Sequence, residues 1–99
     1  MGRAKKPRTC SCPFSGSGYR IYKPAGIPTT QLQRVRLQSD ELEALRLCDV
    51  DGLTQEEAGA KMGISRGTVQ RLLASGRKKM ISALLESKAL FIGPDHEVA

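Results

Sequence analysis

Apolar residues in this chain recur at two different spacings, and most of the expected elements can be read from them. From residue 42 onward they fall three or four apart, the helical repeat: Leu42 and Leu45, then Ala58 and Met62, then Val69, Leu72, Leu73 and Met80. Stop and start signals divide this run. Ser39 offers an N-cap with Asp40 and Glu41 in the first turn, where a helix dipole favours acids. Leu42, Leu45 and Val50 are expected in the core, and Gly52 closes that helix. Thr54 to Glu57 reads T-x-x-E, a capping box opening a helix that ends near Met62. Gly63 supplies the turn, and Ser65 caps a last helix expected to run to about Lys88, with Gly76 marking a bend or a close packing contact. Upstream, Thr29 is expected to cap a short helix carrying Leu32 and Val35. Two short runs, YRIY at 19–22 and ALFI at 89–92, suit strands that pair with each other. The predicted fold is mainly α, with a possible two-stranded pairing of the segments flanking the helices.

Residues 1–18 read as a basic arm and a Ser/Gly/Pro linker, 19–92 as the folded domain, and 93–99 as a polar tail. With 39% hydrophobic and 4% aromatic residues, the core must be aliphatic, which favours helices. No apolar run reaches the roughly 18 residues of a membrane span, and no apolar segment follows the charged start, so a cytoplasmic location without membrane contact is expected.

Charge adds a partner to this picture. The net charge is +6 and it is segregated. Residues 1–36 hold eight Lys or Arg and no acid, 40–57 hold seven acids against Arg46, and 61–88 hold seven bases against Glu86. Two basic regions around an acidic one suggest a polyanion met from two sides, with the acids lining the flank away from it.

The helices at 54–74 meet the demands of a helix-turn-helix. Gly59 is small where the helices cross, Gly63 tolerates the positive φ of the turn, and Ala58, Met62, Ile64, Val69 and Leu72 lock the pair. Placing Val69, Leu72, Leu73, Gly76 and Met80 inward leaves Arg66, Gly67, Gln70, Arg71, Ala74, Arg77 and Lys78 outward. Arg matches guanine and Gln matches adenine in the major groove. Base reading is therefore expected from Arg66, Gln70 and Arg71, with Gly67 admitting the backbone to the groove. Lys61, Thr68, Arg77, Lys78 and Lys79 are expected on phosphates, and Arg3, Lys5, Lys6 and Arg8 on phosphate or in the minor groove. About six phosphate contacts would give a log–log salt slope near −5.

The function expected is sequence-selective binding of double-stranded DNA by a transcriptional regulator. The alternatives are a non-specific architectural binder and a helix-turn-helix that docks protein. A second copy and the transcription machinery are candidate partners; Leu84, Leu85, Leu90, Phe91 and Ile92 form the apolar cluster expected either at a dimer interface or in the monomer's own core. Catalytic residues, metal and cofactor are not expected. SGSG lacks the Lys and Ser/Thr of a phosphate loop. Cys10, Cys12, Cys48 and His96 are a weak zinc or thiol-sensor set, and Cys48 is expected to be buried.

The stretch LEALRLCDVDGLTQEEAGAKMGISRGTVQRLL resembles region 4 of bacterial sigma factors, a helix-turn-helix that binds promoter DNA. More closely, MGRAKK, YKPAGIP, DELEALRL and Lys88-Ala89-Leu90 resemble a family of small, largely uncharacterised prokaryotic proteins predicted to bind DNA. The resemblance covers residues 1 to about 92. It implies recognition by Ser65, Arg66, Gly67, Gln70 and Arg71. Ala4 stands where that family has proline, CSCPFSGSG replaces a shorter linker, and Gly76 stands where Ala is usual. Some relatives carry a further domain resembling iron–molybdenum-cofactor-binding proteins; with no counterpart in this sequence, no cofactor is expected from the resemblance.

Overall fold

A computed structural model describes residues 20–93. The fold is mainly α-helical with a small mixed sheet. In chain order it contains β1 (Arg20–Tyr22), a 3-10 turn (Thr29–Gln31), β2 (Arg34–Leu37), α1 (Ser39–Leu45), α2 (Gln55–Met62), α3 (Arg66–Leu85) and β3 (Ala89–Ile92). The strand order is β1-β3-β2. The expected pairing of β1 with β3 forms, antiparallel and with Ile21 opposite Phe91, but in a sheet of three strands instead of two.

β2 departs from the expected helix after Thr29. Only Thr29–Gln31 turns helically, and Arg34–Leu37 is extended, parallel to β3 with Val35 beside Leu90 and Leu37 beside Ile92. Arg-Val-Arg-Leu has the two-residue alternation of a half-buried strand. Its pairing partner, however, lies some fifty residues downstream, so no local signal selects strand over helix. Leu37 is wholly buried, and Arg34 stacks over the Phe91 ring on the other face of the sheet, 5.2 Å from its centroid.

α1 begins one residue earlier than expected, at Ser39 itself. Gln38 takes the N-cap position, and its backbone N–H donates to Glu41 Oε1 at 2.8 Å. Ser39 is thus the first helical residue, not the cap. Beyond Leu45 the helix widens into a π-type turn over Arg46–Val50, closed by Asp51 N–H to Arg46 O at 2.9 Å. The wider turn rotates the side chains after Leu45 about the helix axis. Leu47 points into the core, while Val50, expected there, is 78% exposed. Cys48 is half-buried against the core and not enclosed as expected.

The core joins Leu37, Ala44, Leu45, Leu47, Ala58, Val69, Leu73 and Ile92. Gly76 is where α1 crosses α3: a Cβ there would lie 2.8 Å from Leu45 Cδ1 and 3.5 Å from Glu41 Cβ. Close packing therefore accounts for this glycine. α3 stops at Leu85, short of Lys88. Ser87 adopts φ 55°, and Lys88 N–H returns to Ala83 O at 2.9 Å, a left-handed helix ending. No helix among the described residues is long and apolar enough to cross a membrane.

Candidate nucleic-acid interface

α2 and α3 meet through a short turn, each capped as its sequence suggests. Thr54 Oγ1 accepts from Glu57 N–H at 3.0 Å while Glu57 Oε1 accepts from Thr54 N–H at 2.9 Å. Gly63 takes φ 74°, in the left-handed region that disfavours a side chain. Ile64 N–H closes back on Gly59 O at 3.0 Å. At the crossing, a Cβ on Gly59 would lie 2.7 Å from the Ile64 carbonyl oxygen, so only glycine fits. Ala58 and Val69 are fully buried between the helices, and Met62, Ile64 and Leu72 pack at the edge.

The turn leaves the start of α3 in solvent. Ser65 Oγ accepts from Thr68 N–H at 3.1 Å and lies 2.9 Å from Thr68 Oγ1, which in turn accepts from Arg71 Nη2 at 3.2 Å. Arg71 is thereby laid along the first turns of the helix toward its N-terminus. Ser65, Arg66, Gly67, Gln70 and Arg71 are all exposed, and Thr68 is half-buried. They share one end of one helix, as expected. α1 and α2 carry acids in their first turns, Asp40 and Glu41 or Glu56 and Glu57; α3 carries none, and Arg66 stands there instead. The partial positive charge of the helix N-terminus is left uncancelled, which favours an anion. Gly67 also differs from Gly59 and Gly76. A Cβ there would meet nothing nearer than Arg71 Nη1 and Ser65 Oγ at 4.0 Å, so packing within the chain does not require glycine.

The far half of α3 departs from expectation. Lys79, expected on phosphate, is turned inward: its Nζ donates to Glu41 Oε1 at 2.8 Å and to the Arg36 carbonyl at 2.9 Å. Ser75 donates to the other Glu41 oxygen. Burial alone would raise the Glu41 pKa, but the hydrogen bonds from Lys79, Ser75 and Gln38 N–H outweigh it and hold the carboxyl below its ordinary range. Lys79 is therefore an internal tie joining α3, α1 and β2. Arg77, also expected on phosphate, makes a two-pronged pair with Asp49, at 2.6 and 3.1 Å. The Arg77 hydrogen bonds hold the Asp49 carboxyl below the usual range despite partial burial. Lys78 and Lys61 remain exposed.

Sequence reasoning missed these ties. The acids of 40–57 were expected only to line the flank away from a partner, yet Glu41 and Asp49 reach across to α3, while Glu43 and Asp51 both bind Arg46. Charge segregation was the signal, but the spacing does not say which acid meets which base. Arg3, Lys5, Lys6, Arg8, Cys10, Cys12 and His96 lie outside the described residues.

A family model described as "Protein of unknown function DUF134" matches residues 1–98. The chain belongs to that family. Similar members are each named "UPF0251 protein". The one from Shewanella pealeana is 48% identical over 92 residues, covering 93% of both chains. One from Vibrio cholerae is 46% identical over 92 residues, covering 93% of this chain and 91% of its own. The Halothermothrix orenii protein is 51% identical over 81 residues, which make up only 60% of its length. No solved structure matches the chain.

Proposed function

We propose that this chain binds double-stranded DNA sequence-selectively and acts as a transcriptional regulator, with α2 and α3 as a helix-turn-helix and the first half of α3 in the major groove. One contrast carries the reading. The cations of the first half of α3 are exposed around an acid-free helix start, whereas Arg77 and Lys79 of the second half are held by Asp49 and Glu41. A merely solvated basic helix gives no reason for that division. Arg66, Gln70 and Arg71 carry the donors that match guanine and adenine edges, and Gly67 keeps the helix surface low where the groove floor approaches. Ser65 and Thr68 hold Arg71 in a defined direction, which reduces the conformational entropy it loses on contact. Lys61 and Lys78 flank this strip as phosphate contacts, with the basic N-terminal arm (Arg3, Lys5, Lys6, Arg8) as a further one.

The test is selection from a random duplex pool at roughly 150 mM salt, a concentration at which phosphate contacts alone hold weakly. An enriched motif is expected, and Arg71→Ala should relax one position within it. Retention without enrichment would assign the chain to non-specific phosphate binding, and no retention would favour a protein partner.

A further inference from the structure

Arg66 and Arg71 both lie exposed at the start of α3, yet only one of them is held. Among the described residues Arg66 makes no hydrogen bond, whereas Arg71 donates from Nη2 to Thr68 Oγ1 at 3.2 Å. That acceptor is itself anchored. Thr68 Oγ1 lies 2.9 Å from Ser65 Oγ, which also accepts the Thr68 N–H at 3.1 Å, so the hydroxyl is tied to the cap of the helix. Gly67 lies beside the guanidinium. The point where its Cβ would be is 4.0 Å from Arg71 Nη1, and the bare Cα leaves open the surface along which the arginine is laid.

The way Arg71 is held leaves it able to bind. A guanidinium presents two outward pairs of N–H groups, Nε with Nη2 and Nη1 with Nη2. Arg77 gives Nε and Nη2 together to Asp49. Arg46 gives Nε and Nη2 to Glu43, and Nη1 to Asp51. Those two arginines are occupied. Arg71 gives one Nη2 proton to a neutral hydroxyl and keeps one pair whole.

We infer that Thr68 is a positioning residue that sets base specificity: it seats Arg71 so that the remaining donor pair meets a guanine at a single base pair, and the sharpest discrimination by α3 comes through that contact. The inference rests on the DNA-binding reading and narrows its target to duplexes with a guanine facing the first turns of α3. Guanine N7 and O6 are two adjacent acceptors on the major-groove edge, and no other base offers two there. An arginine free to swing can reach neighbouring guanines or a phosphate, which blurs the choice. One seated on its own helix reaches a single position and loses less side-chain entropy on contact. Thr68, expected on phosphate from the sequence, thus acts through Arg71. Arg66 supplies charge and a contact that adapts.

The seat can be tested without DNA, by NMR relaxation of the arginine Nε–H groups in the full chain. Arg71 should be more ordered than Arg66, and Thr68→Val should bring it to the level of Arg66. Equal mobility of the two in the unaltered chain would overturn the proposal. Specificity is tested by competition binding with duplexes that differ only at the motif position relaxed by Arg71→Ala, circular dichroism confirming that each variant folds. The unaltered chain should prefer guanine there by more than about tenfold. Thr68→Val, which keeps the shape and removes the hydroxyl, should cut that preference about threefold or more. Its binding to random-sequence duplex at low salt should be unchanged. Thr68→Ser, which keeps a hydroxyl, should retain the preference; Arg66→Lys should leave it and Arg71→Lys should abolish it. A preference that survives Thr68→Val, or a loss of affinity for every sequence alike, would overturn the proposal and leave the DNA reading intact. An unaltered chain that enriches no motif would overturn the DNA reading, and this proposal with it.

Discussion

Between Arg66 and Arg71, Arg66, Gln70 and Arg71 of α3 stand in solvent, and the half-buried Thr68 holds Arg71 of the same helix; between Ser75 and Lys79, that helix is fastened to α1 and its π-type extension through Glu41 and Asp49. Both stretches contain arginine or lysine at helical spacing. What separates them is the neighbour. The second half of α3 crosses α1 at Gly76, and that crossing brings Glu41 under Lys79. The first half extends past α1 and meets α2, where Glu57 is committed to the Thr54 cap. Positive charge on a helix is thus not one property. Here it is structural where an acid faces it and available where none does.

The largest test of this contrast is Lys79→Met. It takes the Lys79 charge away from the Glu41 carboxylate, which is only 4% exposed, and should cost about 3 kcal/mol in urea-melt stability. That is the lower end for a broken buried pair, because Ser75 and the Gln38 N–H still bond Glu41 and Lys79 itself is partly exposed. If Lys79 were a phosphate contact instead, stability would hold and DNA affinity would fall. The same tie should be visible against pH. Because the folded Glu41 pKa lies below its ordinary value of 4.5, its contribution is fully present above that value and is lost as pH falls through the depressed one. Acid unfolding of the unaltered chain should therefore be shallower above pH 4.5 than below it, and Lys79→Met should flatten the difference.

Arg71→Ala should behave in the opposite way. A loss of about 2 kcal/mol in DNA affinity, roughly thirtyfold, is expected with stability unchanged within about 0.5 kcal/mol. Arg77→Ala, its counterpart in the bound half, should change either quantity by less than about 1 kcal/mol, as an exposed pair does. Equal effects of the two on DNA affinity would erase the distinction drawn between the halves. The smallest effect is at Gly67. Adding a methyl where nothing lies within 4 Å but two flexible polar ends should stabilise the helix by about 0.5 to 1 kcal/mol while weakening DNA binding. Unchanged binding by Gly67→Ala would remove the close backbone approach from the reading.

Both glycine contacts that lock the helices were legible in the sequence, Gly59 explicitly and Gly76 as one of two readings. So were the Thr54 and Ser65 caps, the Gly63 turn, the pairing of β1 with β3 and the exposure of Arg66, Gln70 and Arg71. The caps, the turn and the exposed face depend on residues a few positions apart, and the glycines on the absence of a side chain; the pairing of β1 with β3 joins residues about seventy positions apart and was legible only because two short apolar runs flank the helices. Hidden from the sequence were β2, the inward turn of Leu47 in place of Val50, and the assignment of Lys79 and Arg77 to Glu41 and Asp49. The parallel pairing of Arg34–Leu37 needs a strand more than fifty residues away. The π-type turn shifts the helical repeat by a residue, so periodicity counted from Leu42 and Leu45 points Val50 the wrong way. An ion pair between residues 28 or 38 positions apart exists only once α1 has crossed α3. The sequence by itself determined the bounds of α2, the turn at Gly63 and the start of α3, because capping and backbone freedom act over a turn or less. Only the tertiary structure decided which charges are spent inside the domain, because that depends on which surfaces packing brings face to face.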